Sequence, residues 1–337
     1  MLYFYLKCRQ TMTYPSSWMS ELPPHISRKP LNLISIPGSH DSFTYSITQS
    51  SRPSPEGPIY HLAKYIPRKL LSRILYPWSV TQSLSLSDQL KAGIRYFDFR
   101  VCSKRKGKRR RLKQSDSIDY EFYLVHGQYA NLLSKELQSI LDFLQSNPKE
   151  IVIVDCNHCY YFETDEQKNC FESLVLKTIG TSMFPYQPNI PSLNDMWNAK
   201  QQIIFISSHR KNHEIKHYKF WPSNCIESFW PETIDPLTMI CFLNRHIGPH
   251  QYRPANSFYV HQGVLTPTVA FILRHPFSSV HHLAKIAAKY FEGWVNNPDR
   301  RAGVNGVNIT LIDYVSTTYP SYILDVISIN YKTWPRC

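Results

Sequence analysis

The 337-residue sequence predicts an α/β protein folded as a single domain, a distorted TIM (β/α)8 barrel. Short β-branched or aromatic runs recur along the chain, and each is followed by a polar loop and a helix-like stretch. There are eight such runs, the number of parallel strands in this barrel, and a barrel of roughly 250 residues with insertions accounts for the chain length. An apolar fraction of 42%, with 14% aromatic residues, supplies a sizeable core and excludes a disordered chain.

The predicted strands end in polar side chains. The strands are the runs at 33–36, 94–101, 122–125, 151–154, 202–206, 226–229, 258–260 and 307–312. The run at 226–229 is the least regular, so we expect an irregular or incompletely closed barrel. The polar residues at or just after strand ends are His40, Arg100, His126, Asp155, Ser207, Gln262 and Asp313. Because the carboxyl ends of barrel strands converge on one rim, the pattern predicts an active site there.

The positive charge of the chain is concentrated in one segment. The formal net charge is +13, and eight of the basic residues lie between Lys104 and Lys113. Since the remainder of the chain is only mildly basic, we predict no nucleic-acid partner. We divide the chain into an N-terminal extension, 1–16, and a barrel domain, 17–337, into which the basic loop 103–118 is inserted.

The basic run at 104–113 has three interpretations, which are a solvated loop, a contact with an anionic membrane and a nuclear import signal. It follows the strand that ends in Arg100, so it emerges on the predicted active-site rim. Each Lys or Arg near an anionic surface contributes about 1 kcal/mol to binding, so this position favours peripheral membrane contact. The segment 65–78 mixes basic, aliphatic and aromatic residues and is either an interfacial helix on the same rim or an ordinary barrel helix.

Cysteine spacing and hydropathy predict a cytoplasmic location. The eight cysteines lack the dense spacing of a disulfide scaffold, which favours reduced thiols. The opening residues 1–12 make a poor signal peptide, and no apolar run approaches the roughly 20 residues that span a bilayer. Cys156-Asn-His-Cys159 has no second pair of ligands to complete a zinc site. We predict a cytoplasmic protein with peripheral membrane association, and nuclear import through the basic run is the alternative.

Acid–base and cationic groups lie at the ends of three predicted strands. The first strand is followed by a Pro-Gly turn and then by His40 and Asp41. Alternation on the second strand puts Asp98 and Arg100 on one face, where burial is costly unless they pair or bind a ligand. The third strand ends at His126. Two strand-end histidines with an arginine between them suit attack on a phosphodiester, which needs a base, an acid and a cation.

The motifs occur in a recognisable order along the chain. They are Pro-Gly-Ser-His40-Asp41, Gly93-Ile-Arg-Tyr-Phe-Asp98-Phe-Arg100, Val125-His126-Gly127 and Asn308-Ile-Thr-Leu-Ile-Asp313-Tyr314. Together they resemble the X-domain phospholipase C family, and above all its small stand-alone members, the phosphatidylinositol-specific phospholipase C X domain-containing proteins. The resemblance covers about residues 17–331. It implies a phosphoric diester hydrolase whose substrate is a phosphoinositide or a related phospholipid, with a place in lipid degradation and signal transduction.

The resemblance also implies a role for each motif residue. His40 matches the general base that takes the proton from the inositol 2-hydroxyl, and Asp313 matches the carboxylate that holds this base. His126 matches the general acid that protonates the leaving diacylglycerol oxygen, with Asp41 as its orienting partner. Arg100 matches the arginine that binds the phosphate. The implied products are diacylglycerol and inositol 1,2-cyclic phosphate.

Two departures from the family patterns bear on the substrate and on metal use. The secreted bacterial enzymes carry a lysine near the end of the fourth strand, where this chain has Asp155 and Asn157. We predict that these two residues and Asp98 contact the substrate. The large eukaryotic enzymes bind calcium through carboxylates, one of which falls at Arg100. Because an arginine does not ligate a cation, we predict no metal, no cofactor and calcium-independent catalysis.

Two other functions stay open at this point. The first is a metal-dependent glycerophosphodiesterase on the same barrel, whose strand ends should carry a cluster of glutamates and aspartates. Arg100 and the scarcity of glutamates near the motifs count against it. The second is a phosphoinositide-binding relative with weak turnover, and the complete set of two histidines, two carboxylates and an arginine counts against it. The sequence does not indicate which head group is preferred.

Overall fold

The computed structural model describes residues 15–56, 65–106, 120–215, 217–248, 253–275 and 277–335. Its strands are β1 (Ile36–Ser39), β2 (Tyr96–Arg105), β3 (Tyr120–His126), β4 (Gln128–Leu132), β5 (Val152–Tyr160), β6 (Ile203–Ser207), β7 (Phe220–Pro222), β8 (Ile226–Glu227), β9 (Phe258–Gln262) and β10 (Ile309–Ile312). Its helices are α1 (Pro24–Ser27), α2 (Arg68–Ser79), α3 (Leu86–Ala92), α4 (Leu133–Ser146), α5 (Asp165–Ile179), α6 (Leu193–Ala199), α7 (Pro236–Arg245), α8 (Val269–Arg274), α9 (Val280–Val295) and α10 (Tyr322–Thr333). Most of the predicted N-terminal extension and most of the basic loop lie outside the described residues.

Eight strands form a curled parallel sheet in the order β7-β6-β5-β2-β1-β10-β9-β8. Every neighbouring pair on this path is parallel. The terminal strands β7 and β8 are joined by a short 3₁₀ turn, Ser223–Cys225, and no ladder is formed between them in the described part of the chain. The distorted (β/α)8 barrel predicted from the sequence is therefore confirmed, and it is open along one seam. That seam lies beside β8, the strand predicted to be the least regular.

The predicted third strand is not part of the barrel wall, which corrects the sequence interpretation. β3 pairs antiparallel with β2 and with β4, so it forms a hairpin that extends from the sheet. The eighth parallel strand is instead β7, a three-residue segment ending in proline that has no alternating pattern. The prediction was wrong because the basic segment 106–119 connects two antiparallel strands, where a barrel unit would have a crossover helix. The first strand also begins later than predicted, because Leu31–Leu33 is a 3₁₀ helix.

The helices cover the outside of the sheet with apolar faces. In α4 the buried side chains Leu133, Leu137, Ile140 and Leu144 recur at helical spacing along one face. Helix α3 begins at a capping serine, Ser85, whose hydroxyl accepts from the Asp88 amide. Among the described residues, no helix is both long enough and apolar enough to cross a membrane.

Glycine and a buried ion pair fix where β2 enters the barrel. Helix α3 ends at Gly93, whose φ of +113° is open only to glycine, and β2 follows almost at once. The next charged residue, Arg95, is fully buried and donates from Nη2 and Nε to Glu150 Oε2 at 2.7 and 2.9 Å. Its Nη1 also donates to the Leu90 and Ile94 carbonyls at 2.8 Å. Because every guanidinium nitrogen has a partner, the charge is satisfied at the end of the barrel opposite the predicted site.

Candidate active site

The carboxyl ends of four strands bring the predicted groups together on one rim. His40 follows β1, Arg100 lies in β2, His126 ends β3 and Asp313 follows β10. The two imidazole rings are 6.2 Å apart between centroids and lie edge to face. The side chains of His40, His126 and Arg100 are 16%, 19% and 21% exposed, so the group faces a shallow opening.

His40 is held through one ring nitrogen. Its Nδ1 lies 2.7 Å from Asp313 Oδ1. Its Nε2 lies 3.3 Å from Asp41 Oδ2 and 3.9 Å from Asp98 Oδ2. Burial by itself lowers the pKa of His40, but the neighbouring carboxylates of Asp41 and Asp313 outweigh it and raise the pKa to about 9.

His126 is held through its Nδ1 as well, by a backbone carbonyl. The Ser79 carbonyl at the end of α2 lies 2.9 Å from His126 Nδ1. Since a carbonyl oxygen only accepts, this nitrogen carries the proton, and Nε2 is directed to the rim. Nε2 lies 3.3 Å from Asp41 Oδ2. Helix α2, which the sequence suggested as an interfacial or an ordinary barrel helix, thus orients one of the two histidines through its last residue.

Asp41 lies at the centre of the site. Its side chain is fully buried, and its Oδ2 is 3.3 Å from the Nε2 atoms of both His40 and His126. Its Oδ1 is 2.9 Å from Arg100 Nε. The backbone has a φ of +40°, which is uncommon outside glycine, and its amide donates to Asp98 Oδ2 at 3.0 Å. One carboxylate therefore contacts both imidazoles and the guanidinium.

Arg100 has a second acidic partner that sequence reasoning missed. Its Nη1 lies 2.5 Å from Glu56 Oε1, and its Nη2 is 3.5 Å from His40 Nε2. The Glu56 Oε2 atom accepts from the Gly127 amide at 2.8 Å. Burial by itself raises the pKa of Glu56, but Arg100 and His126 outweigh it and lower the pKa, so the carboxylate is ionised at neutral pH. Glu56 lies in a proline-rich loop between β1 and α2, and no local pattern distinguishes it there.

The three predicted substrate contacts form a layer next to His40, whose Nε2 lies 3.9 Å from Asp98 Oδ2. Asn157 occupies a register shift between β2 and β5, and its Nδ2 donates to Asp98 Oδ1 at 2.5 Å. Asp155 pairs in register with Asp98, and its Oδ2 accepts from Tyr96 at 2.8 Å. Burial raises the pKa of Asp155 to about 7. Its Oδ1 has no hydrogen-bonding partner in the described part of the chain. Tyr96 is a further member of this layer that the sequence did not single out.

Two of the polar strand-end residues lie outside this group. Ser207 is fully buried, and its hydroxyl contacts His209 Nδ1 at 2.9 Å behind the sheet. Gln262 donates to the Ser228 hydroxyl at 3.0 Å, and Ser228 is also a neighbour of the Tyr96 hydroxyl, so Gln262 meets the layer of Asp155 only through other side chains. Strand-end position alone therefore does not bring a residue into the site, because side chains alternate between the two faces of the sheet.

One group of described residues has ligand atoms close enough to share a metal ion. His40, Asp41 and Asp98 each offer one such atom, and these atoms lie within 4.8 Å of one another. Asp41 already contacts the Arg100 guanidinium, which would repel a cation from the same oxygen pair. Burial keeps the pKa of the Cys156 thiol well above its ordinary value, which disfavours the thiolate that a metal requires.

The fold is similar to that of solved bacterial enzymes. A phosphatidylinositol-specific phospholipase C from Listeria monocytogenes matches with a TM-score of 0.61 at 21% identity, over 94% of this chain and 99% of that one. A structure of phosphatidylinositol-specific phospholipase C from Staphylococcus aureus matches with a TM-score of 0.62 at 17% identity, over 94% of this chain and 97% of that one. At these identities the likeness concerns the fold alone.

Sequence comparison reaches relatives at higher identity. No protein-family model matches the chain. PI-PLC X domain-containing protein 2 of Mus musculus is 32% identical over 305 residues, which are 89% of this chain and 84% of the relative. PI-PLC X domain-containing protein 3 of Homo sapiens is 31% identical over 327 residues, 94% of each chain, and PI-PLC X domain-containing protein 1 of Mus musculus is 29% identical over 323. Because relatives above 30% identity align over most of both chains, the chain belongs to the family of PI-PLC X domain-containing proteins.

Proposed function

We propose that the protein is a phosphodiesterase of the phospholipase C type that cleaves phosphatidylinositol-like lipids with two histidines. One observation carries the proposal: both imidazoles are held through Nδ1, and both Nε2 atoms are 3.3 Å from the same Asp41 oxygen. The Arg100 guanidinium contacts the other oxygen of that carboxylate. A base, an acid and a fixed cation therefore meet at one opening, as cleavage of a phosphodiester requires.

The reaction follows from these positions. His40 acts as the base in the fraction of the protein whose Nε2 is deprotonated, because its pKa is about 9. In that form Nε2 removes the proton from the inositol 2-hydroxyl, whose oxygen forms a bond to phosphorus. His126 Nε2 gives its proton to the diacylglycerol oxygen as the bond between this oxygen and phosphorus breaks. Arg100 stabilises the charge that develops on the phosphoryl oxygens, and Asp313 stabilises the His40 imidazolium. The products are diacylglycerol and inositol 1,2-cyclic phosphate, and the substrate supplies its own nucleophile.

Asp98, Asp155 and Asn157 are proposed to contact the inositol hydroxyls. Asp155 has an unpartnered buried oxygen, and Asn157 lies against Asp98, so acceptors and a donor are available within one layer. A ring that presents several hydroxyls can satisfy such groups, which are costly to leave unpaired. The glycerophosphodiesterase alternative is weaker, because Arg100 occupies the centre of the acidic cluster that a metal would need.

We also propose that the barrel rim binds an anionic membrane surface from the cytoplasm. Phe229, Leu273 and Phe277 are 56%, 65% and 103% exposed, and they follow β8 and β9 at their carboxyl ends. Helix α8 contacts α2 through an edge-to-face pair of Trp78 and Phe271. Exposed apolar side chains therefore lie on segments that follow two barrel strands, and one of these segments packs on α2, whose last residue contacts His126, as expected of a surface that inserts into a lipid interface.

Basic residues accompany the apolar rim. Arg68, Lys69 and Arg73 lie on α2, and Arg274 ends α8. At the start of the basic run, Lys104 packs over the Tyr123 and Tyr129 rings at 5.6 and 5.4 Å from their centroids, and residues 107–113 lie outside the described chain. Exposed cations beside exposed apolar groups favour an anionic lipid surface over a nucleic acid.

His40→Ala and His126→Ala are each expected to lower hydrolysis of phosphatidylinositol vesicles by about 10²-fold or more, because each removes the acid or the base of one step. The surface variant His282→Ala should keep wild-type activity. The rates are measured with radiolabelled lipid, and circular dichroism checks that each variant is folded. A site variant that keeps more than about a tenth of the wild-type rate would contradict the two-histidine mechanism.

Asp313→Asn should lower the pKa of His40, because it removes one of the three carboxylates, those of Asp41, Asp313 and Asp98, that raise this pKa to about 9. We expect the midpoint of its imidazole titration to fall by roughly one to two pH units. Nuclear magnetic resonance of isotope-labelled histidine measures it directly, and Asp299→Asn, remote from the site, is the control. An unchanged midpoint would mean that Asp313 does not interact with His40 in solution.

Activity should be the same in excess EDTA and in calcium, because the Arg100 guanidinium supplies the positive charge that a metal ion would otherwise bring to the phosphate. Arg100→Lys should lower the rate by about tenfold or more, since an ammonium does not reproduce the planar pair of donors. Arg68→Lys, on the exposed side of α2, is the matched control. If EDTA abolishes activity and calcium restores it, the cation is a metal held by His40, Asp41 and Asp98.

Combining Phe229→Ser, Leu273→Ser and Phe277→Ser should weaken binding to phosphatidylserine vesicles by at least about tenfold, because each side chain loses its burial in the interface.

Serine in place of the basic residues of 104–113 should weaken binding mainly at low salt, since charge is screened over about 8 Å at physiological ionic strength. Vesicle sedimentation measures both effects, with the exposed Val304→Ser as control. If these variants lose as much activity on a soluble inositol phosphodiester as on vesicles, the replaced residues belong to the active site instead.

A further inference from the structure

Each of the three nitrogens of the Arg100 guanidinium has a polar neighbour within 3.5 Å. Nε contacts Asp41 Oδ1 at 2.9 Å, Nη1 contacts Glu56 Oε1 at 2.5 Å, and Nη2 is 3.5 Å from His40 Nε2. An arginine grips two oxygens of a phosphate only when two of its N–H groups on one side are available. A bound phosphodiester must therefore replace one of the groups that Arg100 now contacts.

Glu56 is the group that can leave. Asp41 is fully buried and contacts both imidazoles, so its departure would dismantle the site. The Glu56 side chain is 11% exposed, and among the described residues its one ion pair is with Arg100. Its other contacts are the Gly127 amide at 2.8 Å and the Tyr160 hydroxyl at 3.4 Å.

The contacts of Glu56 are those of a bound anion. One carboxylate oxygen accepts from a guanidinium, and the other accepts from a backbone amide next to His126. A phosphodiester offers the same two acceptor oxygens and the same charge. If it bound while Glu56 stayed in place, two anions would share one guanidinium, and like charges at this distance repel strongly in a partly buried site.

The backbone of the Glu56 loop is attached to the hairpin, so exchange requires only a side-chain rotation. The Ser54 amide donates to the Gly127 carbonyl at 2.9 Å, and the Tyr129 amide donates to the Arg52 carbonyl at 2.8 Å. Pro53 forms an isolated bridge with Gln128. The backbone next to Glu56 is therefore held against the hairpin, and the Glu56 carboxylate extends from it to the site.

We propose that Glu56 is an internal competitor for the phosphate position, which its carboxylate occupies on Arg100 and on the Gly127 amide until a phosphodiester displaces it. The identification of the ligand as a lipid phosphodiester rests on the proposed function, but competition for the anion position does not. Since only the fraction with Glu56 displaced accepts the ligand, the carboxylate weakens phosphodiester binding and sets part of its selectivity.

Binding of dimethyl phosphate, the simplest phosphodiester anion, tests the proposal without requiring turnover. It is titrated into the wild type, Glu56→Gln, Glu56→Ala and the exposed control Glu163→Gln, and binding is followed through the histidine resonances. We expect both Glu56 variants to bind about tenfold more tightly and the control to bind like the wild type. Equal or weaker binding in both Glu56 variants would overturn the proposal and would make Glu56 a residue that positions Arg100.

Kinetics on a soluble inositol phosphodiester separate the two roles further. A competitor lowers affinity for substrate and transition state alike, so its removal should lower KM and leave kcat nearly unchanged. A positioning residue acts in the opposite way, because its removal misplaces Arg100 and lowers kcat. If no variant hydrolyses the substrate, the proposed function fails, and the dimethyl phosphate titration still decides the role of Glu56.

Discussion

The site depends on one fully buried carboxylate, that of Asp41. It contacts both imidazoles through one oxygen and the Arg100 guanidinium through the other. Such a group is costly to bury unless cations surround it, and here three potential cations do. Its amide also donates to Asp98, which draws the strand β2 into the same network. The histidines and the arginine can stay close together because the Asp41 carboxyl group lies among them and contacts all three.

The carboxylates around the rim determine the protonation of His40 and the contacts of Arg100. Asp313, Asp98 and Glu56 add further carboxylates around the same cations. Asp313 and Asp98, together with Asp41, raise the pKa of His40 to about 9, so His40 must lose its Nε2 proton before it can act as the proposed base. Glu56 occupies Nη1 of Arg100. Under the proposed function, a phosphodiester would bring another negative charge into this balance. Ligand binding and the protonation of His40, the proposed base, would then be linked, since the ligand alters the same charges that set the pKa of His40.

The hairpin of β3 and β4 brings His126 to the rim of the barrel. β3 and β4 extend from β2, so His126 reaches the rim from a strand that runs against the barrel wall. The α2 carbonyl of Ser79 then fixes its ring, and the turn at Gly127 presents an amide beside it. A regular barrel strand at this point would lack that turn. The open seam between β7 and β8 lies elsewhere on the barrel and leaves this part of the rim intact.

Local patterns in the sequence determined the fold class and the residues that carry charge at strand ends. Strand periodicity is short-ranged, so His40, Arg100, His126 and Asp313 could be assigned to one rim before any contact was known, and the family motifs supported their grouping. Tertiary structure alone decided the rest. Three contacts join distant parts of the chain and could not be read from local patterns. They are the ion pair of Glu56 with Arg100, the hydrogen bond of His126 to the Ser79 carbonyl and the hydrogen bond from Tyr96 to Asp155. The short strand β7 likewise exists through pairing with β6, because three residues carry no periodic signal of their own.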